Sequence, residues 1–341
     1  MRKKHISKIL KTIFSLLLGL FIVWWLYRET NMKEFWAVVK SGNFWIIGFS
    51  LVFGLAGNVL RGLRWEIFFN SLGYRPKRAS IIYATLGNYA VNFLLPRAGD
   101  IWRCGVVARY DKIPFAKTLE TYLIDKIMDL SAGVFLLVSS LVLYIDFFID
   151  YFNRNPSYKE NLLNLIFSPW MYLGILVLIA LTTLLFTVFK DFSPIKKLRD
   201  FGKTILHDLK LILAMKAKKR IIFYTILIWL LFYLYFYTCF YAFDFTKNLG
   251  FLAGWIVFSM SNLGVAVPVQ GGLGAWHFMV ITSLVILGVT YEEASAFAGA
   301  VFTIQSVWII LCGVFGILAL PHVKREPHSR DKAFEPEKIN S

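Results

Sequence analysis

The sequence predicts an all-α polytopic membrane protein with about six full crossings and two opposed re-entrant hairpins. Three observations support this fold class: an apolar composition, apolar runs long enough to cross a bilayer, and an uneven distribution of basic residues between those runs. Of the 341 residues, 57% are hydrophobic and 17% are aromatic, whereas soluble domains contain about 45–50% apolar residues. The length allows one membrane domain and leaves no room for a sizeable soluble one.

The apolar runs form eight or nine spans, of which several reach or exceed the roughly 18 residues needed to cross a bilayer core of about 30 Å. They cover residues 12–27, 43–60, 79–95, 119–145, 169–189, 221–241, 251–267, 275–290 and 294–320. We expect the first span to be retained as a helix, because Trp24, Trp25 and Tyr27 stand where a signal peptide would need small residues. Aromatic residues at this position are typical of a membrane interface.

Basic residues divide the connecting segments into two sets. Cytoplasmic loops of membrane proteins carry an excess of Lys and Arg. Thirty Lys and Arg lie in residues 1–11, 61–78, 97–118, 190–220 and 321–341. Only six lie in residues 28–42, 146–168 and 242–250. The first set is therefore predicted to be cytoplasmic, with both termini inside a plasma or inner membrane, and the net charge of +16 requires no nucleic-acid partner.

The span at residues 79–95 lies between two basic segments, so both of its flanks are predicted to be cytoplasmic. We expect it to enter from the cytoplasm, turn near residues 96–99 and return, because non-helical backbone is tolerated at membrane depth where protein or a wet cavity surrounds it. Residues 251–267 and 275–290 are predicted to form a matching hairpin from the outside, with its turn at PVQGG, residues 268–272.

The two halves of the chain are thus predicted to share one plan in opposite orientation: two crossings, a hairpin and a further crossing. Such an inverted repeat is found in many transporters. We assign residues 1–145 to the first half and 146–320 to the second. A basic amphipathic helix is predicted at 194–215 on the cytoplasmic leaflet, and residues 321–341 form a polar cytoplasmic tail.

The first turn carries the main candidate ligands of a lipid phosphate. Arg97 and Arg103 offer guanidinium forks that match phosphate geometry; alternatively, they pair with Asp125 or Asp129. These two acids are four residues apart and share a helix face. Structural pairing is our favoured interpretation of both, with proton exchange or a weak match to membrane phosphatidyltransferases as alternatives.

The second turn is rich in glycine. Gly271, Gly272 and Gly274 let backbone N–H groups converge on an anion at the start of the next helix, although close helix packing also explains them. Gln270 and His277 add polar groups to this turn.

Other polar residues of the spans are given structural roles. Asn58, Asn88, Asn92 and Asn262 are expected to cap or bridge broken helices. Arg61 and Arg64 are expected to snorkel from the end of a span to lipid headgroups. The three cysteines have neither disulfide nor metal-ligand spacing. We find no nucleophile–base pair, zinc spacing or nucleotide-binding loop, so we predict no catalytic residue, metal or cofactor.

Four motifs in order along the chain resemble the transmembrane region of lysylphosphatidylglycerol synthases, also called the flippase-like domain family. They are RGLRW (61–65), NFLLPRAGDIWR (92–103), DKIMDL (125–130) and VPVQGGLGAWH (267–277). The resemblance covers about residues 10–320. It implies a lipid flippase or a lipid-linked transport domain.

The resemblance also implies which residues act. Its motif arginines would be Arg97 and Arg103, its acidic turn residue Asp100, and its glycine turn Gly271, Gly272 and Gly274. Two positions depart from the family pattern: Gln270 replaces a common Pro, and His277 replaces a common Glu. Because position 277 carries His instead of an acid, the resemblance does not imply a proton- or cation-linked role at this position. No lysyl-transfer domain is recognised, so this chain is not expected to make lysyl-lipid itself.

The predicted function is the binding of an anionic phospholipid or a polyprenyl-phosphate-linked lipid and its movement between leaflets. Two other functions are compatible with the sequence. One is a membrane lipid transferase that uses Asp125 and Asp129. The other is a non-transporting partner that tethers an envelope lipid-modifying enzyme through the basic helix.

Overall fold

The computed structural model describes residues 20–28, 31–95, 97–145, 167–188, 217–267 and 272–323, with isolated positions 17, 149, 160, 164, 203 and 269. Within these residues every regular element is a helix, as predicted. The chain divides into two compact units, residues 1–137 with 215–341, and residues 138–214. The predicted amphipathic helix at 194–215, apart from position 203, and the tail beyond residue 323 lie outside the described residues.

Eleven α-helices are described in addition to the helical residues 20–27. They are α1 (Met32–Ser41), α2 (Phe44–Ser71), α3 (Arg78–Leu94), α4 (Ala98–Tyr110), α5 (Phe115–Leu143), α6 (Pro169–Val188), α7 (Lys218–Tyr237), α8 (Asp244–Lys247), α9 (Gly250–Ala266), α10 (Ala275–Ile286) and α11 (Tyr291–Ala319). Short 3-10 helices, Thr238–Ala242 and Leu320–His322, extend α7 and α11.

Four described helices are long and apolar enough to cross a membrane: Phe44–Ser71, Phe115–Leu143, Lys218–Ala242 and Tyr291–His322. All four overlap predicted spans. The largest difference is in α2, which continues to Ser71, well past the predicted end at residue 60. The helices α9 and α10 are shorter apolar helices of 17 and 12 residues. The total of about six crossings stays a prediction.

The order of elements occurs twice among the described helices. In the first occurrence, the long helix α2 is followed by α3 and α4, of 17 and 13 residues, and then by α5, of 29 residues. In the second, α7 is followed, after the short α8, by α9 and α10, of 17 and 12 residues, and then by α11, of 29 residues.

The first long helices of these two sets, α2 and α7, pack in antiparallel directions. Ser50 Oγ lies 3.5 Å from Cys239 Sγ, and Arg64 Nη1 donates to Thr225 Oγ1 at 3.1 Å. Residues later in α2 therefore contact residues earlier in α7 and its 3-10 extension, by the same number of positions. Gly57 permits this close approach, since a Cβ there would lie 2.8 Å from an aromatic ring carbon of α7.

Helices α3 and α4 form an antiparallel hairpin, as predicted. At its open end, the backbone N–H of Lys77 donates to Asp111 Oδ1 at 2.9 Å. At the turn, the N–H of Gly99 donates to Asn92 Oδ1 at 2.8 Å. The two ends of the hairpin therefore lie on the same side. Pro96 of the turn is outside the described residues.

Each hairpin contacts the long closing helix of the other set. On the first hairpin, a Cβ at Gly313 of α11 would lie 2.8 Å from Ala90 Cβ of α3. On the second, Ser259 Oγ of α9 donates to the carbonyl of Leu136 in α5 at 3.2 Å. Within the second hairpin, a Cβ at Gly264 would lie 2.7 Å from a backbone atom of α10, so α9 and α10 are also in close contact.

Aromatic packing dominates the core around α7, α9, α10 and α11. Phe236, Phe240 and Phe297 are buried there with their ring centroids 5.4–6.1 Å apart. Such edge-to-face and tilted pairs add to the stabilisation from apolar burial. The N-terminal helix is joined to the start of α11, because Tyr291 donates its hydroxyl proton to the carbonyl of Leu26 at 2.6 Å.

Candidate functional site: a buried charge cluster

Seven charged side chains from α2, α4 and α5 meet inside the apolar first unit. We call them the charge cluster: Arg61, Arg64, Asp100, Arg103, Asp125, Lys126 and Asp129. The positions follow from helix periodicity, since residues three or four apart share a face. The cluster contains four cations and three carboxylates, so it has a net charge of +1 when all groups are ionised.

Arg64 is the centre of the charge cluster. Its side chain is fully buried, and its Nε and Nη2 both donate to Asp125 Oδ1, at 2.9 and 2.7 Å. Nη2 also donates to Asp129 Oδ1 at 2.6 Å. Because Nη1 reaches Thr225 on α7, this guanidinium joins three helices. The predicted snorkelling of Arg64 is therefore wrong.

Arg61 occupies the more open side of the same helix. Its Nη2 donates to Asp129 Oδ2 at 2.9 Å, and its Nη1 donates to the hydroxyl of Tyr89 at 2.7 Å. Its side chain is 17% exposed. The snorkelling prediction is thus also wrong for Arg61, which is held within the protein by α3 and α5. Both errors arise because α2 continues past residue 60.

Arg103 pairs with an acid of α5, as one sequence interpretation proposed. Its Nη2 donates to Asp125 Oδ2 at 3.2 Å. The guanidinium carbon lies 4.6 Å from the Trp65 ring centroid and 4.5 Å from that of Tyr122. Cation–π contacts of this kind strengthen when they are desolvated, and Arg103 is only 2% exposed.

The exposed edge of the charge cluster lies near the turn of the first hairpin. Lys126 Nζ lies 3.7 Å from Asp100 Oδ1, and the two side chains are 45% and 20% exposed. Arg97 precedes α4 with φ 61°, a left-handed conformation that is unusual for a residue with a side chain. Its side chain is exposed and has no polar partner among the described residues.

Helix geometry gives the depth of the charge cluster. At a rise of about 1.5 Å per residue, Arg64 is roughly 10 Å from the end of α2 at Ser71. By the same rise, Asp125 is about 15 Å from the start of α5 at Phe115. These helix ends adjoin the basic segments predicted to be cytoplasmic. The charges therefore lie well inside the apolar domain, where unpaired ions are costly.

Two asparagines of the first hairpin contact each other and the turn that follows α3. Asn92 Nδ2 donates to Asn88 Oδ1 at 3.2 Å, and Asn92 Oδ1 accepts from Gly99. A Cβ at Gly99 would lie 2.2 Å from the Asn88 carbonyl oxygen, so only glycine fits this crossing. On α9, by contrast, the Asn262 amide donates to Phe258 O of its own helix at 2.7 Å.

The second turn is described only in part. Gly272 and Gly274 have φ of 77° and 80°, values that glycine adopts without strain, and Gly274 immediately precedes α10. Gln270 and Gly271 lie outside the described residues. His277 is buried, with its ring centroid 4.5 Å from that of Phe302 and 6.0 Å from that of Tyr27.

The comparisons with known proteins agree with the resemblance seen in the motifs. The family model described as "Lysylphosphatidylglycerol synthase TM region" matches residues 12–320. The chain belongs to this family. Membership in the lysylphosphatidylglycerol synthase TM family makes it a membrane protein related to lipid handling. No curated protein and no solved structure matches the chain.

Three of the four motifs that carry the resemblance meet in the charge cluster. RGLRW supplies two arginines, NFLLPRAGDIWR supplies Asp100 and Arg103, and DKIMDL supplies two acids and a lysine. Sequence reasoning considered pairing between the second and third of these motifs but missed that RGLRW joins them. A signal was available, because arginines at i and i+3 on one span and acids at i and i+4 on another are complementary.

The carboxylates of Asp125 and Asp129 are placed to hold arginine side chains in position rather than to exchange protons. All four carboxylate oxygens of Asp125 and Asp129 accept hydrogen bonds from Arg side chains. Asp125 and Asp129 are therefore fully engaged by arginines, whereas Arg61 Nε, Arg103 Nε and Asp100 Oδ1 make no hydrogen bond to the described residues.

Proposed function

We propose that this protein binds an anionic phospholipid or a polyprenyl-phosphate-linked lipid and moves it between the leaflets of a plasma or inner membrane. The observation that carries the proposal is the excess positive charge of the cluster. A net charge of +1 inside an apolar domain is costly, and Arg97 adds a further cation at the adjacent turn. A phosphate would offset both.

The surface next to the charge cluster also suits a lipid. Leu94 and Ile101 flank the turn of the first hairpin and are 70% and 62% exposed. In a membrane, such exposed apolar side chains contact acyl chains. A phosphate held by Arg97 and Lys126 would therefore have its hydrocarbon chains beside these residues. Family membership supports the same class of substrate.

We further propose that the two sets of helices form an inverted repeat. The repeated order of long, short, short and long helices supports this, as does the antiparallel packing of α2 and α7. Each hairpin also contacts the closing helix of the other set, which supports the same repeat. Two turns entering from opposite sides would give a lipid headgroup polar contacts from either leaflet.

Leaflet exchange in proteoliposomes tests this function. Purified protein is reconstituted with fluorescent anionic lipid, and the fraction of probe reducible from outside is followed for wild type, Arg97→Ala and Arg109→Ala. We expect exchange that slows about tenfold in Arg97→Ala, the size of change given by the loss of one charged hydrogen bond. Arg109 is an exposed control on the same helix. Equal rates in both variants would remove the proposed role of Arg97.

The transferase alternative is less compatible with the contacts. To act as a base or a metal ligand, Asp129 would have to leave Arg61 and Arg64, and Asp125 would have to leave Arg64 and Arg103. We therefore propose positioning roles for both acids. Turnover of a lipid substrate that depends on a divalent cation and is lost in Asp129→Asn would favour the transferase instead.

A partner role makes a different prediction for the purified protein. A protein that only tethers an envelope lipid-modifying enzyme would give no exchange when reconstituted alone. Exchange by the isolated chain therefore separates transport from tethering. Absence of exchange with both phosphatidylglycerol and polyprenyl phosphate, together with stable co-purification of one enzyme, would favour the partner role.

A further inference from the structure

A second feature lies beyond the charge cluster, where α2 ends and α7 begins. A cavity of about 540 Å³ opens between these helices, and its size falls within the range of about 300–1,000 Å³ typical of ligand pockets. It shares no residue with the charge cluster. We call it the basic cavity, and the lining residues that matter here are Leu63, Glu66, Ile67, Arg78, Arg220 and Tyr224.

The basic cavity has more positive than negative charge. Arg78 Nε donates to both oxygens of Glu66 at 3.0 Å, and the terminal amino groups of Arg78 make no hydrogen bond to the described residues. Arg220 has no ion pair among the described residues. Two guanidinium groups thus face one carboxylate, and free N–H donors remain at the mouth.

The position of Arg220 adds to this positive potential. It lies in the first turn of α7, which begins at Lys218, and the N-terminal end of a helix carries partial positive charge from its unpaired N–H groups. Tyr224 lines the same cavity one turn further along α7. The floor is apolar, since Leu63 and Ile67 belong to the facing surface of α2.

The outer surface of α7 indicates that the ligand is a lipid. Phe223 is 61% exposed and lies on the same side of α7 as Arg220, since residues three apart on a helix share a face. Because α7 is apolar and long enough to span a membrane, this ring is placed to contact hydrocarbon. A phosphate in the basic cavity would have an acyl chain beside this ring.

We propose that the basic cavity binds the phosphate headgroup of an anionic phospholipid of the cytoplasmic leaflet. Basic cavities between membrane helices on the cytoplasmic side are known binding places for anionic headgroups. A free phosphate would use the same guanidinium groups but would gain nothing from the apolar face of α7. Binding here does not require the protein to move lipid, so it stands apart from translocation.

Site-specific alkylation tests this binding. In a background without the three native cysteines, Ser71→Cys places a thiol in the cavity wall, and Arg109→Cys gives a reference thiol on an exposed helix surface. Each protein is placed in phosphatidylcholine nanodiscs with increasing phosphatidylglycerol and treated with iodoacetamide. The neutral reagent and the reference thiol together remove the general effect of surface charge on reaction rate. The measured quantity is the ratio of the two alkylation rates.

We expect phosphatidylglycerol to slow alkylation at position 71 relative to position 109. Arg78→Gln/Arg220→Gln should raise the phosphatidylglycerol fraction needed for half-maximal protection about tenfold or more, because both guanidinium groups line the cavity and would donate to the phosphate directly. Lys218→Gln/Lys219→Gln also removes two positive charges, both from residues of α7 that do not line the cavity, and should leave the fraction nearly unchanged.

A variant that is expected to strengthen lipid binding distinguishes loss of the binding site from damage to the fold. Glu66→Gln removes the carboxylate that occupies Arg78 Nε, so less phosphatidylglycerol should be needed for protection. The proposal is overturned by equal protection in the two double variants, or by equal rates in phosphatidylglycerol and phosphatidylcholine. Protection by inorganic phosphate in phosphatidylcholine nanodiscs, with none by phosphatidylglycerol, would assign the cavity to a soluble anion and also overturn it.

Discussion

Asp125 is the residue on which the buried arginines depend most. It accepts from Arg64 through Oδ1 and from Arg103 through Oδ2, and its side chain is fully buried. Asp125→Asn should lower the free energy of unfolding in mixed micelles by about 3–5 kcal/mol, because it leaves buried charge uncompensated. Asp244→Asn serves as the control, since its pair with Lys247 is exposed and should matter little. Equal stabilities of the two variants would contradict the structural role of Asp125.

Arg97 allows strain and charge to be separated. Its φ of 61° is costly for any residue with a Cβ, so Arg97→Gly should raise the free energy of unfolding by about 0.5–1 kcal/mol. The same variant should slow lipid exchange about tenfold, as expected for Arg97→Ala, because neither retains a guanidinium. A glycine variant with wild-type exchange would show that this side chain does not bind the phosphate.

Single-residue roles were the least predictable part of the site. The sequence left two interpretations of Arg103, a phosphate ligand or a partner of Asp125 or Asp129, and Arg103 does contact Asp125. It assigned Arg61 and Arg64 to the membrane surface because a hydropathy pattern ends a span at the first charges. Whether a charge ends a helix or is buried within it depends on a partner on another helix, which no local pattern contains.

At the scale of elements, the turn of the first hairpin depends on one glycine. Gly99→Ala would place a Cβ 2.2 Å from a backbone carbonyl oxygen, and backbone cannot move aside as a side chain can. We expect the free energy of unfolding to fall by about 2–3 kcal/mol, comparable to overpacking elsewhere. Thermal unfolding in detergent is a suitable measurement, made on protein that elutes from a size-exclusion column without aggregates.

Gly105 is the matched control for this prediction, since it lies on the same helix and a Cβ there would meet nothing within 4 Å. Gly105→Ala should be neutral or slightly stabilising, because alanine favours the helix by about 1 kcal/mol over glycine. A loss of stability in both variants would mean that α4 tolerates no substitution, and the crossing at Gly99 would not be special.

Elements were more predictable than their ends. The first hairpin followed from two basic segments flanking one apolar span, and the contacts at Asp111 and Gly99 confirm it. The predicted end of α2 was wrong by more than two turns. Charge distribution reports on which side a segment lies and is averaged over many residues, whereas a helix end depends on a few capping contacts and on tertiary packing.

At the scale of the whole molecule, the proposal that remains to be tested is the opposite orientation of the two turns. The first long helices of the two sets, α2 and α7, run in opposite directions, and thiol labelling assigns each turn to a membrane side. Arg97→Cys and Gln270→Cys, each in a background without native cysteines, provide one thiol per turn. Arg109→Cys and Lys33→Cys mark the predicted inner and outer surfaces.

We expect a membrane-impermeant thiol reagent to label position 97 only from the cytoplasmic side and position 270 only from outside. The reason is that a hairpin returning to its own side gives its turn access to water from that side alone, while apolar helices close the other path. Labelling of both positions from the same side would instead require a parallel arrangement, and a lipid could not pass from one turn to the other.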